Sequence, residues 1–464
     1  MIKKQHHYFK KLKMVESKRI NRRTFISSSS KFIAATAILP MGLSHPIFAK
    51  SPKTKLKIAM VGTGIRGTST WGKELVDYYG DFVEMVGLCD SNYKRLEVAK
   101  KRIGTSAKTY EAKDFDLMIK ETRPDSVIVT TTDCTHEKYI VRAMELGCNV
   151  ISEKPVATEV DHCQRILDTE VRTGQKVDVT FNVRYMMESD AIKKIILSGD
   201  LGKIISIDFQ EYLDVNHGAS YYRRWHGKIK NSGSLLVHKA SHHFDMVNWL
   251  LDAEPLEVKA TGRLAYYGNN NSFRGRNCRT CTFQNKCKFY WDMTKSKNSM
   301  ELYGKCEDID GYFRDGCVWD NEIDSYDTSV VEVLYNNGTI LNYSMNAFMP
   351  YEGQRISLTG EKGRLDVRIF ARQSWETDHS IELRLSKNFG DSITWGITPP
   401  KGGHGGADDK MKDMLLKPNQ PDPLNKRAGS RAGILSSLIG IAARQSIETG
   451  EKIEILKLIR FPKK

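Results

Sequence analysis

The chain has 464 residues, 40% of them hydrophobic, which excludes a disordered or fibrous class and leaves room for two cores. Its formal net charge of +15 is not a nucleic-acid footprint. Residues 1–49 hold ten Lys or Arg against one Glu, and the remaining excess is spread without basic runs interleaved with aromatics.

In chain order, a basic stretch ending in Asn21-Arg22-Arg23-Thr24-Phe25-Ile26 precedes an apolar run at residues 32–43 and a small-residue end at Ala49. This resembles a twin-arginine export signal, which implies handling by the twin-arginine export machinery, removal of residues 1–49 and a periplasmic location. The apolar run contains Pro40 and falls short of the roughly 20 residues a membrane helix needs, so no stable span is expected after processing.

From Leu56 onward, short apolar runs at 56–61, 83–89, 126–130 and 149–151, with a further candidate strand near 108–110, alternate with helical periodicity. Strands separated by helices predict a doubly wound parallel sheet over residues 55–182. Past Lys203 the period changes to two, at 204–209, 330–335 and 356–359. That pattern predicts an α+β domain with an open, mostly antiparallel sheet over residues 183–464. Asn336-Asn337-Gly338 marks a hairpin. Residues 268–325, rich in Asn, Gly, Cys and charge, read as a loop-rich insertion.

Gly62-Thr63-Gly64-Ile65-Arg66-Gly67 follows the first strand and opens a helix. Its glycines permit a tight turn and a close backbone approach to a pyrophosphate at a helix N-terminus. Asp90, ending the second strand, is placed to accept ribose hydroxyls, which favours NAD over NADP because a carboxylate repels a 2′-phosphate.

Two further stretches, Thr130-Thr131-Thr132-Asp133-Cys134-Thr135-His136 and Ser152-Glu153-Lys154-Pro155, make the chain resemble the Gfo/Idh/MocA family of glucose-fructose oxidoreductase and inositol dehydrogenase. The resemblance implies an N-terminal Rossmann domain, with Thr132, His136 and Glu153 beside the cofactor. It places Lys154 between nicotinamide and a substrate hydroxyl. A partly desolvated lysine can be tuned toward neutral pH and serve as acid or base. The family also implies a homo-oligomer and a small-molecule sugar or glycoside as substrate.

The family's second signature is matched loosely by residues 233–245: His242 falls at the family histidine, and His238 stands where the family has an aspartate. On a helix these two would share a face as an acid/base pair or substrate clamp. Their spacing also suits a metal, but Lys239 disfavours one. Arg184, Tyr185, Tyr222 and Trp225 suit a sugar, with aromatic faces for ring C–H groups and guanidinium forks for hydroxyls or an anion, and each could equally serve at a domain interface.

The loop Gly402-Gly403-His404-Gly405-Gly406 resembles one in the family 109 glycoside hydrolases, which use NAD transiently to eliminate a glycosidic bond. Cys278, Cys281, Cys287 and Cys306, with Cys317, could bind structural zinc or form disulfides. The resulting expectation is an oxidoreductase acting on a sugar or glycoside with tightly bound NAD. A glycoside hydrolase or lyase working by transient oxidation is the alternative.

Overall fold

The computed structural model describes residues 55–400 and 402–462, so the export-signal pattern lies outside the described residues. Two sheets form the frame. The first contains β1 (Leu56–Val61), β2 (Val83–Asp90), β3 (Lys108–Glu111), β4 (Ser126–Val129), β5 (Asn149–Ser152) and β6 (Val177–Val179). These six strands are parallel, in the order β6-β5-β4-β1-β2-β3. Helices cover both faces, so β4 is buried along its whole length, which is why Ser126–Val129 is apolar without alternation.

The second sheet contains β7 (Ile204–Asp214), β8 (Pro255–Arg263), β9 (Thr328–Tyr335), β10 (Ile340–Met349), β11 (Glu352–Gly360), β12 (Gly363–Arg372), β13 (Ile381–Lys387) and β14 (Ser392–Ile397). Its order is β14-β13-β12-β11-β7-β10-β9-β8, with the two-residue strand Ile453–Glu454 added beyond β8, and it is antiparallel except for the β7–β10 pair. Burial alternates along β9 and β10, with Val331, Val333, Leu341 and Tyr343 inside. The expected hairpin joins them, with the Gly338 N–H donating to the Tyr335 carbonyl at 2.9 Å. The Ser430–Thr449 helix is buried between the two sheets, where its Ile434, Leu438, Ile439 and Ile441 are fully covered.

Two departures from the sequence reading matter for the site. First, the dinucleotide half is not closed at residue 182. A two-residue strand, Ala428–Gly429, adds antiparallel to β6. The helix Ala407–Leu416 packs Ala407, Met411 and Leu416 against Trp71, Leu75 and Tyr79 of the first half, because its apolar stripe has its buried partners there. Second, the insertion reaches across to the first half through Lys94–Asp308, Arg95–Asp310 and Arg102–Glu301 ion pairs. Among the described residues no helix is long and apolar enough to cross a membrane.

Candidate active site

The C-terminal ends of the parallel strands open into a cavity of about 1180 Å³ that runs from Gly62 and Asp90 to the second sheet. At one end is the glycine turn. Gly62 has φ +94°, and a Cβ there would meet the Thr130 carbonyl at 2.6 Å. A Cβ on Gly67 would stand 2.1 Å from the Gly62 carbonyl oxygen. Only glycine lets this turn close, and the helix it opens begins with a π-helical stretch, Gly67–Lys73. Gly64, Ile65 and Arg66 line the cavity, whereas Thr63 is buried beneath the turn. The Thr63 N–H and hydroxyl donate to Asp90 at 2.6 and 2.9 Å. Asp90 also accepts the Asn92 N–H at 2.8 Å and still lines the cavity.

The turn is tied to distant parts of the chain. Arg66 donates to Glu153 at 2.7 Å and to both Asp408 oxygens at 3.3 Å. Trp71 donates to the same Glu153 oxygen at 2.7 Å. Asp408 also bonds Asn182 and the Nδ1 of His404, each at 2.8 Å. Burial pushes the Asp408 carboxyl up, but the His404 bond and the Arg66 guanidinium outweigh it and hold it well below the carboxylate range. This anchors the Gly403–Gly406 turn so that His404 lines the cavity.

The Glu153-Lys154-Pro155 triplet leaves β5, and Lys154 points into the cavity, its Nζ donating to the His238 carbonyl at 2.8 Å. Burial pulls the Lys154 ammonium down to about 8, with Asp133 and Glu153 pulling the other way. His136 braces the floor, one ring nitrogen 2.6 Å from the Pro155 carbonyl and the other 3.1 Å from that of Thr131. Thr132 lines the cavity beside it.

His238 and His242 both face the cavity, but not from one helix. The chain makes a short helix, Leu235–His238, and a second, Ser241–Leu251, with Lys239 and Ala240 between them. The break frees Lys239 to pair with Glu211 of β7 at 3.2 Å. His238 Nδ1 lies 2.6 Å from Asp133, which fixes the tautomer that bares Nε2. Burial, then Lys154, pushes His238 and His242 well below the usual histidine range, so both are neutral at pH 7. Burial pushes the Asp133 carboxyl up, against the pull of Lys154 and Arg224. His242 Nδ1 is buried with no hydrogen-bond partner among the described residues.

The aromatic wall differs from the sequence expectation. Tyr221 and Trp225 line the cavity, with Trp225 stacked on His226 at 3.6 Å. Tyr222 faces away from the cavity, stacked on Tyr267 at 4.3 Å with its hydroxyl on the Tyr326 carbonyl, because successive residues of a helix are turned by about 100°. Arg184 is also corrected: it is buried in a two-pronged pair with Asp245 at 2.6 and 2.7 Å, which consumes its fork. Tyr185 sits in the core that holds Met411 and Trp71.

All nine cysteines are free thiols, and among the described residues no cluster could hold a metal ion. Cys278, Cys281, Cys287 and Cys317 line one small cavity, while Cys306 lies elsewhere, its carbonyl accepting from Asn92.

Sequence reasoning assigned no role to Asp133, Glu211, Arg95, Tyr303 or Asp408. Tyr303 is the most consequential: its hydroxyl accepts the Ile65 N–H at 2.9 Å, and with Asp310, which lines the same cavity, it roofs the glycine turn. The charge density of 299–314 was the available signal.

Comparison with known proteins places these features in a lineage. A model described as an oxidoreductase family, NAD-binding Rossmann fold, matches residues 56–181, and its companion C-terminal alpha/beta domain matches residues 193–455. YteT of Bacillus subtilis, an oxidoreductase by name, is 36% identical over 425 residues, covering 87% of this chain and 99% of that protein. The inositol 2-dehydrogenase of Salmonella typhimurium is 27% identical over 205 residues, 44% of this chain and 57% of the enzyme. Among solved structures, the Bordetella pertussis WlbA dehydrogenase in complex with NADH and UDP-GlcNAcA matches with a TM-score of 0.59 at 20% identity, over 86% of this chain and 98% of that one. The aldose-aldose oxidoreductase of Caulobacter crescentus matches at 0.58 and 16%, over 86% and 99%.

Proposed function

We propose that this chain, which belongs to the Gfo/Idh/MocA oxidoreductase family, oxidises a ring carbinol of a sugar or polyol using NAD held in the cavity. The observation that carries the reading is the continuity of one cavity from the glycine turn to Lys154, His238 and His242. The turn fits a dinucleotide, since glycine at 62 and 67 lets the backbone close tightly and leaves Gly64, Ile65 and Arg66 on the cavity wall. Backbone at Gly64, Ile65 and Arg66 would hold the pyrophosphate, which replaces the Tyr303 hydroxyl at the Ile65 amide, and Asp90 would take the ribose of NAD in preference to NADP. Thr132, His136, Glu153 and Lys154 would flank the nicotinamide, which when bound supplies the two-electron acceptor.

The chain's own groups handle the protons. Lys154, lowered to about 8, is partly neutral near physiological pH and removes the carbinol proton. Neutral His242 and the bared Nε2 of His238 accept hydrogen bonds from neighbouring hydroxyls and orient the ring. Tyr221 and Trp225 cover its apolar face. The Tyr303–Asp310 roof supports slow cofactor release, which suits an exported, homo-oligomeric enzyme that reduces one sugar with the electrons of another.

The test is to release the nucleotide from purified protein, identify it by mass spectrometry, and assay a sugar and polyol panel by NADH absorbance. NADH formation by the protein, reduced about 10²–10⁴-fold in Lys154→Ala with nucleotide retained, supports the reading. Absence of any nucleotide affinity, or an unimpaired Lys154→Ala, overturns it.

One observation favours a second reading, glycoside cleavage by transient oxidation: His404 reaches the same cavity with Nδ1 held by Asp408. Aglycone release without net NADH would establish it.

A further inference from the structure

Resting on the sugar-oxidation reading, the charges lining the cavity narrow the substrate class. Most cations there are matched by a carboxylate. Arg66 has Glu153 and Asp408, Arg95 has Asp310, Lys239 has Glu211, and His217 has Glu352 at 3.0 Å. Lys154 lies under the influence of Asp133 and Glu153. Arg224 and Arg314 are the exceptions: both line the cavity, and among the described residues neither has a carboxylate within ion-pair distance.

Their remaining contacts leave the donors free. Arg224 spends its Nε on the Ser220 carbonyl at 2.6 Å and lies over the Tyr221 ring at 5.2 Å. Arg314, supplied by the insertion, lies over the Trp291 and Tyr303 rings at 5.5 and 5.9 Å. The two guanidinium groups oppose each other: burial first, then Arg314, pushes Arg224 below its ordinary range. Two like charges held together in a partly desolvated wall are unfavourable unless an anion joins them, and a guanidinium fork matches carboxylate or phosphate geometry. Arg224 also acts electrostatically on Asp133, His226 and His238, so an anion bound there would sit beside the proton-handling groups rather than over the adenosine end.

We infer that Arg224 and Arg314 together recognise an anionic substituent of the substrate, so that the protein acts on an acidic sugar, whether a carboxylate-bearing uronate or a phosphorylated sugar. Arg66, Arg95 and Lys239 already hold Glu153, Asp310 and Glu211, which leaves Arg224 and Arg314 as the place for an incoming negative charge.

The experiment is equilibrium binding to the NADH-loaded full protein, which does not depend on turnover. The probes are D-glucuronate and D-galacturonate methyl glycosides, D-glucose 6-phosphate, and the neutral methyl glucoside and galactoside. Acidic probes are expected to bind at least tenfold more tightly than the neutral ones, with the gap narrowing as salt rises. The tighter acidic probe identifies the source of the anion. Arg224→Gln and Arg314→Gln should each erase most of the gap while NADH affinity is kept; the second changes a residue outside both sheets and guards against a folding failure in the first. Equal binding of neutral and acidic probes overturns the inference, as does a loss confined to NADH affinity, which would assign the pair to the cofactor's pyrophosphate. Oxidation of neutral sugars only would sink this inference and leave the oxidation reading standing. Acidic-sugar binding without NADH formation by any sugar would do the reverse.

Discussion

Replacing Asp133 by Asn tests the Asp133–His238–Lys154 cluster most directly, because it removes the ionisable group while keeping the shape. Asp133 is buried, bonded to His238 at 2.6 Å, and is the leading group that raises the Lys154 ammonium against burial. An opposite charge at close range moves a pKa by about 1–3 units. With wild-type Lys154 near 8, kcat/KM for carbinol oxidation should rise with pH through about 8, since the base works only when deprotonated. In Asp133→Asn that limb should move downward by about 1–3 units, because the uncompensated ammonium loses its proton more easily. The plateau should also fall by roughly 10²–10⁴-fold, because an amide no longer fixes the His238 tautomer. The assay is NADH formation across pH 5–10 at saturating NAD, with nucleotide affinity as the control for folding. A limb that stays near 8, or one that moves upward, would refute the assignment of Lys154 as the titrating base under Asp133's control.

Three further outcomes follow from the geometry. Asp90→Ala should weaken NAD binding and narrow the preference over NADP, measured by titration with both nucleotides; unchanged selectivity removes Asp90 from ribose recognition. Asp310→Ala breaks the bonds to Arg95 and Asn92 at 2.7 and 2.9 Å, and charged hydrogen bonds of this kind contribute about 1.5–3 kcal/mol. NAD should therefore dissociate roughly tenfold or more faster in stopped-flow chase, and an unchanged off-rate would show that the insertion is no roof. Finally, substituting Arg22 and Arg23 by Lys in the full-length chain should retain the protein in the cytoplasmic fraction, and unaltered fractionation would count against twin-arginine export.

Much of this molecule was legible locally. Strands β1, β2, β4 and β5 begin where the apolar runs begin, because a covered parallel strand needs little beyond an apolar run of the right length. The glycine turn is equally local, since sterics within and beside the turn forbid a side chain. Glu153 and Lys154 were found through a contiguous triplet that leaves one strand end.

What the sequence by itself determined was thus the fold class, the family resemblance, the glycine turn and the Glu153-Lys154-Pro155 triplet at the strand end, each encoded within a few positions. Only the tertiary structure decided which side chains face the cavity. Neighbouring Tyr221 and Tyr222 share one chemistry and face different ways, and Arg184 fits a sugar until Asp245, 61 residues along, consumes it. Ile65 meets Tyr303 across 238 residues, and Arg66 meets Asp408 across 342. Neither the roof over the glycine turn nor the anchor of His404 leaves a periodic trace, because each arises from pairing between segments whose separation along the chain carries no information about their distance in space.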